Sequence, residues 1–554
     1  MVHLVLSTLA AMGLGLAFGR INPLIASVGL VTGTCAGLWS WLSLKKDREL
    51  FPGLTFTPGL LYAFIIFAGL QHFLYLLYYD QHGLKTLHLN NFGDLSLHIQ
   101  YIRHIAGGAH FWPDNPEFAG ELLTYPLGMD LYNALWESLG VPVDSHLFVS
   151  GLVMTVVAVS VLHRWMGWWG VGAFFLNGGL ANWQCLWTGS LFDFQNAVAW
   201  KSFFLSLWIT QRGFLYAIPA GAYVIKLILE NLSGERDLSR PEKMVLAVLW
   251  SGLAWFHLHT FFIVSLMLGI CILFYKQVRA LLSVIVPVFC IGMVFVFFST
   301  GAGSRIGVLH ITWGWVADKG GSLWFWILNL GPWILLGAMS IALLFKKTFA
   351  VYRKMAAVFF ALFLVFSFVM VVPWDWDNIK VLLWLYLAVA WLAWKVWVSR
   401  LSPAAAFLTG CIVFFPGAMS VVSSLPGNSS GVQLYQAAEL SESASALMSV
   451  PKNAVLAVAP DPNHPAMFWG AKVAMGYPGH VWSHGIDYSA REIQLNDMFM
   501  GRDNWRSAAR AMKVTHIYWG ENEKNMYNSV VAPWRSELRD ISRSTKIQVY
   551  DLSK

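Results

Sequence analysis

Stretches of roughly 20 apolar residues, separated by short polar turns, recur along most of the chain. Each is long enough to cross about 30 Å of hydrocarbon as a helix. They predict about 13 spans, near residues 2–18, 22–43, 57–79, 145–163, 167–184, 213–231, 244–257, 260–275, 280–299, 323–345, 355–372, 379–398 and 403–422. Residues 188–210 are also apolar enough to span, but a re-entrant or interfacial path keeps the charges after them on one side. The pattern changes after residue 424. Short apolar runs, "AVLAVA" (454–459), "VTHIYWG" (514–520) and "KIQVYDL" (546–552), read as strands, while "SAREIQLNDMFMG" and "NWRSAARAMK" read as helices. The expected architecture is an α-helical polytopic membrane protein with a small C-terminal α/β domain. Residues 1–50 supply two N-terminal spans, residues 51–424 a membrane region with a large loop at 80–144, and residues 425–554 the α/β domain.

Composition agrees with this reading. The chain is 57% hydrophobic and only 12% charged, about half the charge of a soluble domain. Its net charge of +7 lies in short clusters between apolar runs, which speaks for topology and against nucleic acid. Lys45, Lys46 and Arg48; Arg164; Arg236, Arg240 and Lys243; Lys276 and Arg279; Lys346, Lys347, Arg353 and Lys354; and Lys395 and Arg400 all fall on one side. That side is cytoplasmic by the positive-inside rule. The opposite side receives loop 80–144, with eight acidic residues against Lys85 and Arg103, as well as 185–212, 300–322, 373–380 and everything after 424. The expected location is the cytoplasmic (inner) membrane, multi-pass, with an extracytoplasmic C-terminal domain. The five cysteines have neither metal-ligand nor disulfide-framework spacing. The first span lacks a basic n-region and an A-x-A site and reads as retained.

Chemistry concentrates on the outer side. In "NNFGDLSLHIQYIRHI" (90–105) Asp94 follows a glycine at a helix start, so it could be an N-cap. It also lies four residues before His98, on the same helical face, with Arg103 and His104 close behind. Ionisable groups gathered at a membrane boundary are costly unless they face water or a ligand. Residues 109–135 combine helix breakers with a helical "PLGMDLYNAL" entered at Tyr125-Pro126; Asp114 and Asp130 there read as solvated surface. "PWDWDNIK" (373–380) places Asp375, Asp377 and Lys380 in a tight outer turn, which could equally be a polar turn with interfacial tryptophans. His257 and His259 lie at an outer helix end but, two residues apart, do not share a helical face. Arg305 and His310 sit in another outer loop.

With this topology, "GDLSLH" (93–98) opening the first long loop, "YPLG" (125–128) and "GYPGHVWSHGIDYSARE" (476–492) make the chain resemble the GT-C class of integral membrane glycosyltransferases. That class includes oligosaccharyltransferases, protein mannosyltransferases and aminoarabinose transferases. The resemblance covers the architecture of nearly the whole chain. Two spans precede the usual first one, and the paired acidic and WWD-like motifs of oligosaccharyltransferases are missing. The resemblance implies a polyprenyl-phosphate-linked sugar donor and an extracytoplasmic acceptor that is a lipid, a glycan or a protein. Inverting displacement needs one carboxylate to take the acceptor proton and positive charge for the departing phosphate. Asp94 becomes the base, and His98 orients either Asp94 or the acceptor. Arg103, Arg212, Arg305 and Lys380 are the phosphate candidates, and His104, Tyr125, His257, His259, Asp375 and Asp377 complete the substrate-binding set. A divalent metal, if used, would fall to Asp94 and Asp377. The competing readings are a transporter or flippase of a lipid-linked or polar substrate, an envelope polysaccharide ligase or polymerase, and a non-catalytic assembly protein.

Overall fold

The computed structural model describes residues 1–44, 49–300, 309–316, 322–529 and 531–552, so Arg305 and the basic cluster at 45–48 lie outside the described residues. Helices α1 (Val2–Phe18), α2 (Pro23–Ser43) and α3 (Phe56–Leu74) come first. Lipid offers no hydrophobic force between helices, so close packing of small residues joins them. Gly29, Gly33 and Gly37, spaced four apart on α2, face α1; a Cβ on Gly29 would fall 2.9 Å from the Ser7 carbonyl oxygen.

The first long loop folds into strands β1 (Tyr78–Tyr79) and β2 (Gly83–Thr86) and helices α4 (Asp94–Ala106) and α5 (Gly128–Ser138). Helix α6 (Val143–Phe175) leaves helical angles at Met166 and Gly167. A Cβ on Gly170 would lie 2.8 Å from the Leu162 carbonyl oxygen, whereas eight residues of straight helix separate such groups by about 12 Å. The chain therefore turns sharply between the spans expected at 145–163 and 167–184. Residues 181–208 form only short pieces, among them α7 (Cys185–Thr188), and make no spanning helix. Helices α8 (Arg212–Leu232), α9 (Arg240–Phe256), α10 (Leu258–Phe274) and α11 (Val278–Thr300) follow. The span expected at 323–345 is instead a broken pair, α12 (Leu323–Leu330) and α13 (Trp333–Leu344), bent by 98°. The break falls at Gly331, whose φ of 55° favours glycine, with Pro332 capping the second piece. Helices α14 (Arg353–Phe366), α15 (Ile379–Val396) and α16 (Pro403–Ser423) complete the bundle. Among the described residues, eight helices are long and apolar enough to cross a membrane, or nine if the bent pair is one span.

After α16, residues 432–551 form strands and short helices. The expected strands appear as β6 (Val455–Ala457), β8 (His516–Trp519) and β10 (Gln548–Asp551), joined by β7 (Lys472–Val473) and β9 (Arg539–Asp540) in the order β7-β6-β8-β10-β9. Strand β6 runs parallel to β7 and β8, and β10 is antiparallel to β8 and β9. This C-terminal unit has its own apolar core around Ile517, Trp519, Trp534 and Met498, and the loop residues Phe118 and Ala119 belong to it.

The same unit is clasped to the first long loop. Strand β5 (Val432–Gln436) pairs antiparallel with β2. In β7, Val473 N–H donates to the Pro116 carbonyl at 2.8 Å and Ala119 N–H to the Val473 carbonyl at 3.1 Å. From α4, Gln100 Nε2 donates to the Ala471 carbonyl at 2.8 Å and Arg103 Nη1 to the Phe468 carbonyl at 2.8 Å. The Arg103 guanidinium also lies 4.2 Å from the Phe468 ring centroid. These bonds hold residues 462–485 over the N-terminus of α4.

Candidate functional site

Helix α4 can begin where it does because Gly93 adopts φ 89°, a conformation that L side chains rarely accept. Having no side chain, Gly93 caps nothing, and Asp94 becomes the first helical residue. Asp94 accepts no hydrogen bond from any described residue, so its carboxylate is not spent on the backbone amides of its own helix. It lies with Leu97 and His98 on the wall of a cavity of about 1840 Å³.

Two imidazoles flank it, each held by a buried carboxylate. His98 Nδ1 lies 2.9 and 3.0 Å from the two oxygens of Asp130 on α5, and the residues are 4% and 1% exposed. His480, in the short helix Pro478–Ser483 of the C-terminal unit, places Nδ1 3.0 Å from Glu117 Oε1. A carboxylate on Nδ1 fixes the proton there and leaves Nε2 for the cavity that both rings line. Burial by itself would lower the His480 imidazolium, but the charge and hydrogen bond of Glu117, with Asp94, raise it above the ordinary histidine value. Burial raises the Asp94 carboxyl above its usual range; His480, His98 and Lys380 act against that rise and Asp377 reinforces it.

The rest of the wall comes from distant segments: Tyr125 of the first loop, His257 and His259 at the α9–α10 junction, Lys201, the turn at 371–380, and Tyr477, Trp482 and His484 of the C-terminal unit. Tyr125 packs its ring 6.0 Å from His98 and 5.2 Å from His484. Lys380 is paired with Asp377 at 2.9 Å. Lys201 has no ion-pair partner among the described residues, and its ammonium lies 6.0 Å from the Trp376 ring centroid. The irregular backbone around it is fixed by side chains: Trp200 N–H donates to Asn329 Oδ1 at 2.7 Å, Phe203 N–H to Asn177 Oδ1 at 2.6 Å, and Trp376 Nε1 to the Ala199 carbonyl at 2.8 Å. Buried non-helical backbone needs such partners. Between α10 and α11 the cavity shares Phe261, Ser265 and Met293 with an apolar pocket of about 410 Å³.

Of the residues expected from sequence, Asp94, His98, Tyr125, His257, His259, Asp377 and Lys380 line this cavity. Arg103 and His104 do not. Arg103 reaches Glu137 and Phe468, and His104 Nδ1 donates to the Gly470 carbonyl at 3.1 Å, so both fasten the C-terminal unit to α4. Asp375 does not line the cavity and pairs with His310 at 2.7 Å. Arg212 is buried behind the wall, donating to the Ile209 carbonyl, with Nε and Nη1 unpartnered. Asp130 is not solvated surface, since it holds His98. Asp114 does stay half-exposed, bound to Lys472. Among the described residues no group of three or more His, Cys, Asp or Glu side chains could hold a metal ion, and Asp94 and Asp377 form no such centre. Sequence reasoning missed Lys201, Asp130, Glu117 and His480. Only His480 carried a signal, its place in the turn-rich "GYPGH". No protein-family model matches the chain, and no curated protein matches it either.

Proposed function

We propose that this protein is a glycosyltransferase of GT-C type in the cytoplasmic membrane, crossing it about 13 times with an extracytoplasmic C-terminal α/β domain. It moves a sugar from a polyprenyl-phosphate donor to an extracytoplasmic acceptor. The acceptor hydroxyl oxygen bonds to the anomeric carbon as the bond from that carbon to the phosphate oxygen breaks, the electron pair leaving on the phosphate. The hydroxyl proton passes to Asp94, giving a glycoside of inverted configuration and polyprenyl phosphate.

One observation carries the reading. A single cavity joins an unpartnered carboxylate, Asp94, with lysines and imidazoles at one end and an apolar slot between α10 and α11 at the other. A ligand with a sugar phosphate head and a hydrocarbon tail matches both ends. The outer segments 80–144, 185–212, 300–322 and 373–380 and the C-terminal unit all contribute to this cavity, which supports placing them on one side. A raised carboxyl pKa suits a proton acceptor working nearer neutrality. Membranes containing the protein, supplied with radiolabelled undecaprenyl-phosphate hexoses, should form labelled glycoside, and mass spectrometry of envelope glycans should lose a sugar when the gene is deleted. Unchanged glycans and no transfer would remove the reading.

The broken pair α12–α13 and the irregular 181–208 segment favour a second reading, transport of a lipid-linked substrate, because transporters build sites on interrupted helices. Movement of labelled donor across vesicles with its glycosidic bond intact would establish that alternative.

A further inference from the structure

We propose that the N-terminus of α4 and His480 together form a phosphate-binding subsite, so that the C-terminal unit supplies a ligand-binding group of the cavity. The inference rests on the glycosyltransferase reading and locates the donor phosphate within it.

A helix of 13 residues leaves its first N–H groups without intrahelical partners, and its dipole favours an anion there. Proteins usually satisfy those donors with a Ser, Thr, Asp or Asn cap. Here the cap is Gly93, and no side chain caps the helix. Gly93 and Asp94 line the cavity, so this end of α4 opens into it.

His480 is an independent observation at the same place. It is only 8% exposed. Its Nε2 makes no hydrogen bond to a described residue and lies 3.7 Å from where a Cβ on Gly93 would stand. Glu117, itself buried and bonded to Nδ1, favours the protonated form of the ring. The subsite therefore offers backbone donors and one charge-assisted N–H to the same point, the combination that phosphate oxygens select. The charged and titratable groups facing His480 are Glu117 from the first loop, Asp94 from α4 and Tyr477 on its own element, whose ring centroid is 5.2 Å away. Beyond Asp94 stand His98, Lys380 and Asp377. A bound phosphate would strengthen the proton affinity of Asp94, which is the direction a base requires.

The test uses the full-length protein in lipid nanodiscs, with geranyl phosphate, inorganic phosphate and geraniol as probes, and tryptophan fluorescence as readout. Histidine C2-hydrogen exchange read by mass spectrometry follows the protonation of His480. Geranyl phosphate should bind and raise the His480 pKa, H480Q should weaken binding at least tenfold, and H480K should restore most of it. E117Q, which keeps the ring, should shift the pH at which binding is lost downward. Geraniol should not perturb His480. Equal binding of geranyl phosphate by wild type and H480Q would overturn the subsite and leave the glycosyltransferase reading standing. Inorganic phosphate binding as tightly as geranyl phosphate, with the same His480 dependence, would keep the subsite but remove the lipid donor. No binding of either anion by wild type would overturn both.

Discussion

Replacing Asp94 by asparagine keeps its size and removes its charge, and two consequences of opposite sign follow. Transfer should collapse. A positioned proton acceptor contributes about 10²–10⁴-fold, equivalent to about 2.7–5.5 kcal/mol of barrier. Stability should rise. The Asp94 carboxyl is raised by burial, so the folded protein binds this proton more tightly than the unfolded chain does. For such a group, stability declines as pH climbs from the unfolded value through the folded value, and the whole loss is present above it. Each unit of displacement corresponds to about 1.4 kcal/mol. Asparagine does not titrate, so D94N should unfold at a higher temperature than wild type at pH 7–8, with the gap closing on acidification. Purified protein followed by tryptophan fluorescence between pH 4.5 and 8, beside the transfer assay, gives both numbers. A variant that is less stable at pH 8 and still transfers sugar would refute the reasoning, because Asp94 would then be a structural carboxylate with an unseen partner.

Three further outcomes are expected. D130N should cut transfer about 10–100-fold, since a hydrogen bond to a charged group contributes about 1.5–3 kcal/mol. In a double-mutant cycle with H98Q the second change should add little, and additive losses would separate the two residues. R103A removes a bond to Glu137, one to the Phe468 carbonyl and an aromatic contact; limited proteolysis should release C-terminal fragments several times faster than from wild type, and an unchanged rate would deny the clasp. K201A should raise the apparent KM for lipid-linked donor about tenfold with a smaller effect on kcat, and the reverse pattern would move Lys201 from binding to the transition state.

Most helices were legible in the apolar runs because a span is a local property of about 20 residues. Yet eight or nine of the described helices, not about 13, are long and apolar enough to cross, and the helix expected at 167–184 ends at Phe175. The turn at Gly167 and the α4 start at Gly93 followed the same local logic. The 98° break was not expected, although Gly331-Pro332 marks it, because hydropathy averages across a bend. Within the site, Asp94 and His98 were visible because they share one helical turn. Asp130 was misread: "PLGMDLYNAL" has the amphipathic pattern of a surface helix, and nothing local says that its one acidic position faces His98, 32 residues earlier. Glu117 and His480 meet across 363 residues, a distance no short motif encodes. Lys201 lies inside an apolar stretch, where a lone lysine resembles a snorkelling residue, and only the asparagines around its backbone reveal that it is presented. Arg103 and His104 do not line the cavity, for the converse reason. They continue α4 past the cavity and meet the C-terminal unit instead.

The most direct measurement supplies undecaprenyl-phosphate [14C]hexose to inverted and right-side-out vesicles carrying wild-type protein or D94N, and follows label into product resistant to mild acid, which cleaves sugar phosphates but spares glycosides. The wild type should form that product only where donor reaches the extracytoplasmic face, and D94N should form less than about one hundredth as much. Equal product from both proteins, or label that crosses the membrane still linked to phosphate, would contradict the account.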